Sequence, residues 1–154
     1  MMKESFGKNI HDQSPISAAL ELMSREPISC VVMQNGTTVY TADGRGVSPL
    51  LRLYDNSPNT LKEAFVVDKI IGKAAAMLLV LGGAVRVYGV VMSVPGCAYL
   101  EQHGIETAYD RRVDFITNRD RNGICPIEGA VLDIDDPHEG LTAIRATIDR
   151  LMNR

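Results

Sequence analysis

Apolar residues recur at helical spacing at Ile16, Ala19, Leu20 and Met23, directly behind Ser14 and Pro15. Serine suits an N-cap and proline the first helical position, so this run predicts an amphipathic helix ending near Arg25. The next run, ISCVVMQNGTTVYTADG, holds two β-rich segments joined by Asn35-Gly36. That pair tolerates positive φ at both central positions of a tight turn, which predicts a hairpin. GRGVSPLLRLYDN predicts a turn and a short helix, and NSPNT a loop.

AFVV, residues 64–67, predicts a short buried strand. DKIIGKAAAMLLVLGG behind it is apolar nearly all round, which predicts a helix covered on most sides and stopping at Gly82-Gly83. Asp68 would be its N-cap. Lys69 and Lys73 would share one face near the positive end of the helix dipole, at a cost of a few tenths of a kcal/mol each. Either something anionic compensates or both side chains reach into water. Gly72 inside such a helix costs about 1 kcal/mol against alanine, which suits a close approach of backbone or ligand.

AVRVYGVVMS predicts a strand, and VPGCAYLEQHG a helix from about Pro95 closed by Gly104. IETAYDRRVDFIT alternates well enough for one or two further strands. In the last helix Asp136 is the expected cap, Pro137 the first position, and Leu141, Ile144, Ile148 and Leu151 the inner face. A hairpin followed by strand–helix alternation predicts an α/β sandwich with a mixed sheet.

With 154 residues the chain suits one domain, 14–154, behind a polar leader, 1–13. The net charge of −3 gives a nucleic-acid partner no electrostatic support. Arg111, Arg112, Arg119 and Arg121 interleave with Asp110, Asp114 and Asp120, which predicts a solvated, salt-paired loop. Cys30, Cys97 and Cys125 are far apart and odd in number, against a disulfide framework. The start of the chain has no apolar signal core, and the longest apolar run, 74–81, is too short to span a bilayer. A cytoplasmic protein with no membrane partner is the expectation.

The histidines, His11, His103 and His138, show no HxxxH, HExxH or HxE spacing, so neither a metal site nor a cofactor is expected. No P-loop, GxSxG or GxGxxG after a strand is present. CPIE at 125–128 has a capping-box layout, with Cys125 as N-cap, Pro126 at the first position and Glu128 at the third. The helix dipole would favour a thiolate at Cys125 and the Glu128 carboxylate would oppose it. Cys125 therefore stands open between an inert capping thiol, a pocket-lining group and a nucleophile. Cys30 and Cys97 read as core residues.

The blocks MQNGTTVYTADGRGVSPLLRLY, AFVVDKIIGKAAAMLLVLGGAVRVYGVVMSVPGCAYLEQHGI and FITNRDRNGICPIE carry a resemblance. Over residues 29–128 the chain resembles an uncharacterised prokaryotic domain-of-unknown-function family, number eighteen ninety-three, similar in fold to cytidine deaminases. The resemblance implies a three-layer α/β/α sandwich with a mixed sheet. Zinc deaminases carry H-x-E at one helix start and P-C-x-x-C at the next. The corresponding positions read Asp68-Lys69-Ile70 and Pro95-Gly96-Cys97-Ala98-Tyr99, without the ligand set. The zinc-bound hydroxide would then not be generated.

Residues in the family's own blocks become the site candidates: Asp68, Lys69 and Cys125 for chemistry, and Lys73, Asn118, Arg119 and Pro126 for binding. Ser93 joins them because it ends a central strand, where α/β folds bind ligands. The leading expectation is a module that binds a small polar or anionic, nucleotide-like ligand in the former deaminase pocket. A metal-independent enzyme with Cys125 as nucleophile, its thiol activated by Lys69, is the second. A structural protein forming homo-oligomers through a sheet edge or the last helix is the third. Residual zinc deamination is the fourth.

Overall fold

The computed structural model describes residues 13–153, so the expected leader lies almost wholly outside the described residues. Helix α1, Gln13–Arg25, already includes Ser14 and Pro15, and so begins two residues further upstream than their capping pattern predicts. The hairpin forms as expected, from β1, Cys30–Gln34, and β2, Thr37–Ala42. Asn35 and Gly36 adopt φ of 53° and 78°, the left-handed pair that a tight hairpin turn requires. Helix α2, Ser48–Asn56, follows, and a single 3-10 turn at Pro58–Thr60 occupies the expected loop.

The chain then departs from its pattern. Strand β3 runs Phe65–Ile71, and helix α3 begins only at Lys73 and ends at Gly82. Asp68 and Lys69 are strand residues, so Asp68 caps no helix, and Lys69 and Lys73 share no helical face. The cause is pairing. Ile70 and Ile71 lie beside Val91 and Met92 of β4, Arg86–Ser93, in a parallel ladder that carries the extended backbone to Gly72. Gly72 is the N-cap of α3, and Gly83 closes it at φ 87°.

Helix α4, Val94–Gln102, follows β4 directly, and Gly104, at φ 76°, turns the chain into one strand, β5, Glu106–Val113. Short helix α5, Pro126–Val131, and long helix α6, Pro137–Met152, complete the described chain. Asp136 caps α6 as expected, accepting from the His138 amide at 3.3 Å.

The sheet order is β2-β1-β3-β4-β5, with β1 antiparallel to both neighbours and β3-β4-β5 parallel. Cys30, Val32, Val66, Val87 and Met92 face the larger core, built with α2, α3 and α4 and completed by Val131 and Ile144. Val31, Met33, Val67, Tyr88 and Ala108 face the other way, against Ile16, Ala19 and Met23 of α1. Helices on both faces of a mixed sheet make the expected α/β/α sandwich. Helix α3 is buried from Lys73 to Leu79, as its uniformly apolar surface demands. Among the described residues no helix is long and apolar enough to cross a membrane.

Candidate functional site

The carboxyl ends of β3, β4 and β5 deliver the chain to one edge of the sandwich. Two helices start there almost in contact. A side chain at Gly96 would place its Cβ 2.8 Å from the Gly72 carbonyl carbon and 2.9 Å from its oxygen. Gly96→Ala is expected to cost about 1–3 kcal/mol by forcing backbone apart. Gly129→Ala meets only an ordinary contact, 3.8 Å from the Ile124 side chain, and should leave the thermal midpoint unchanged or raised. Equal midpoints for the two variants would contradict this reading of the helix junction.

Glu128 closes the junction. It is 2% exposed and reaches from α5 to the start of α3. Its Oε1 accepts from the Lys73 amide at 2.6 Å and its Oε2 from the Ile116 amide at 2.9 Å. The side chain fits because Gly72 has none: a Cβ there would lie 2.5 Å from Oε1. The close approach suggested by Gly72 is thus made by the protein's own carboxylate, which also suits the positive end of the α3 dipole.

Lys73 answers in the other direction. Its ammonium donates to the Leu132 carbonyl at 2.9 Å, at the end of α5, and lies 5.5 Å from the centre of the Tyr99 ring. The Tyr99 hydroxyl donates to the Asp135 carbonyl at 2.7 Å, and burial pushes its pKa up to about 12. Lys73 is therefore a buried brace between helices. Ser93, fully buried, caps α4 by accepting from the Gly96 amide at 3.0 Å.

Asp68 lies elsewhere, in the sheet. It is 5% exposed and directly opposite Cys30 across β1 and β3. Burial raises its carboxyl to about 7, against weaker opposing hydrogen bonds from the Ile70 and Lys69 amides and from the Cys30 thiol. Burial, with the Asp68 charge adding to it, pushes Cys30 well above the ordinary thiol range. The sulfur beside Asp68 is Cys30. Lys69 is exposed.

Cys125 and Pro126 take the expected first positions of α5, but the thiol makes no capping hydrogen bond and Glu128 does not return to the Cys125 amide. That amide donates instead to the Ile116 carbonyl at 2.8 Å, so the capping box does not form. Asn118 spends its side chain on Asn122, donating to its Oδ1 at 2.9 Å and accepting from its amide at 3.1 Å. Arg119 is exposed on that loop. Among the described residues no ion pair joins Arg111, Arg112, Arg119 or Arg121 to the interleaved aspartates, and Arg112 instead approaches Cys97 and the Tyr109 ring.

Beside the sealed junction the surface opens into a groove of about 430 Å³ lined by Val94, Pro95, Asp114, Phe115 and Leu132. Seven large apolar side chains are exposed among the described residues, and four of them, Ile70, Val94, Phe115 and Ile124, belong to this end of the sheet and the loop leaving β5. Sequence reasoning missed these residues. The available signal was the pair of strand ends at Ser93 and Val113, because the residues immediately after them line the groove.

Among the described residues no group of three or more His, Cys, Asp or Glu side chains is placed to hold a metal ion. The start of α3 now reads Gly72-Lys73-Ala74 instead of Asp68-Lys69-Ile70, and that correction introduces no ligand.

Comparisons with known proteins place the chain among relatives. It is similar to a DUF1893 family protein from Thermotoga maritima, known from a crystal structure at 2.70 Å, with 26% identity, 90% of each chain covered and a TM-score of 0.77. It is also similar to the apo form of dCMP deaminase from the cyanophage S-TIM5, with 14% identity and a TM-score of 0.44, over 68% of this chain and 97% of that one. No curated protein matches it in sequence. The family model described as Domain of unknown function (DUF1893) matches residues 18–148. Matched by that model over most of its length, the chain belongs to the DUF1893 family.

Proposed function

We propose that this protein is a small-molecule-binding module whose ligand lies between the ends of β4 and β5, in the groove lined by Val94, Pro95, Asp114, Phe115 and Leu132. The supporting observation is the groove itself, a shallow, open and mostly apolar depression at the edge where open α/β folds take ligands. The reading shifts the ligand outward from the helix starts. An external anion would have to displace Glu128 from the Lys73 and Ile116 amides. Neither Lys69, Lys73 nor Arg119 lines the groove, which weighs against the nucleotide-like anion that the sequence suggests.

The proposal is non-catalytic. The carboxylate expected beside Cys125 is paired with Cys30, and the Cys125 thiol has no capping partner. A fragment screen by NMR tests the reading. Binders should shift the amides of Val94, Phe115 and Leu132, and Phe115→Ala should weaken them about tenfold through loss of one aromatic wall. The ring is partly exposed, so the variant should stay folded. Binders that map elsewhere, or that ignore Phe115→Ala, would count against the groove.

A further inference from the structure

We infer that the groove selects an organic cation, an ammonium or guanidinium group carried on an apolar body. This rests on the groove being the ligand site. Four of its five lining residues, Val94, Pro95, Phe115 and Leu132, offer only carbon surface from their side chains, and Asp114 is the single ionisable one. Asp114 is exposed and has no hydrogen-bond or ion-pair partner among the described residues. Its carboxylate is therefore available to an outside donor.

Two cations of this end of the sheet, Lys73 and Arg112, already have partners and do not line the groove. The Lys73 ammonium is held by the Leu132 carbonyl, and the Arg112 guanidinium lies 5.7 Å from the centre of the Tyr109 ring. Phe115 follows Asp114 in the chain and exposes 39% of its surface. A cation beside both residues gains an ion pair from one and attraction to the ring face of the other. Its apolar body covers Val94, Pro95 and Leu132. An anion would meet Asp114 with like charge. A neutral apolar ligand would strip water from that carboxylate and return no hydrogen bond.

The test compares three molecules of one shape, 2-phenylethylammonium, 2-phenylethanol and phenylacetate, by NMR titration of the wild-type protein and of Asp114→Asn. The cation should shift the Val94, Phe115 and Leu132 amides and bind about fivefold more tightly than the alcohol, with phenylacetate weakest. Asp114→Asn should erase the difference between cation and alcohol, and added salt should weaken the cation alone. If the alcohol binds as tightly as the cation, or if Asp114→Asn leaves the cation's advantage intact, the charge selectivity is overturned and the groove stands. If none of the three moves these amides, the groove itself is overturned as well.

Discussion

Glu128→Ala is expected to lower the folding stability by about 3–5 kcal/mol, because two buried amides lose a charged acceptor together. The Lys73 amide donates to Glu128 at 2.6 Å and the Ile116 amide at 2.9 Å, so truncation strands both. The site is too enclosed for water to repair the loss freely, since Glu128 is 2% exposed and fills the space that Gly72 leaves open. Removing the carboxylate also withdraws the anion at the start of α3. Glu128→Gln keeps the shape and one acceptor oxygen, so its loss should be smaller, on the order of 1–3 kcal/mol. Urea unfolding of the two variants measures both. A loss below about 1 kcal/mol for Glu128→Ala would mean that Glu128 does not hold the helix junction.

The second large effect depends on pH. The Asp68 carboxyl, ordinarily near 3.8, titrates near 7 in the folded protein because burial disfavours its charge. Between those values the folded chain keeps a proton that the unfolded chain has lost. Stability should therefore fall as pH rises from about 4 to about 7 and then level off, by a few kcal/mol in all. Asp68→Asn keeps the size and the acceptor for the Ile70 and Lys69 amides but cannot ionise. It should match the wild type closely near pH 4 and exceed it by about 3–4 kcal/mol at pH 8, where wild-type Asp68 carries its charge. Parallel stability curves for the two proteins across pH 5–8 would show that Asp68 is not the responsible group.

Asp68 and Glu128 also show where local pattern stops being informative. DKIIGK satisfies a helical pattern, and its first residue looks like a cap. The segment is nevertheless extended, because Ile70 and Ile71 pair with Val91 and Met92 some twenty positions away. The CPIE layout predicts a local capping box, yet Glu128 serves a helix 55 positions upstream. In both cases the competing local and distant partners are chemically equivalent donors and acceptors. Packing decides which is used.

Much of the protein was nevertheless legible in its residues. The Asn35-Gly36 turn, the glycine stop at Gly82-Gly83, the Asp136-Pro137 start of α6 and the layered mixed sheet follow from propensity, capping and periodicity, which act over a few residues. The family blocks were equally legible, since they are strings of residues. The tertiary structure alone decided that Asp68 faces Cys30, that Lys73 braces Leu132, that Glu128 seals the helix junction, and that Val94, Asp114, Phe115 and Leu132 form one groove. These contacts join positions brought together by the parallel ladder of β3, β4 and β5 and by the docking of α5 on α3. Burial and hydrogen-bond geometry exist only once those elements meet, and no spacing along the chain encodes them.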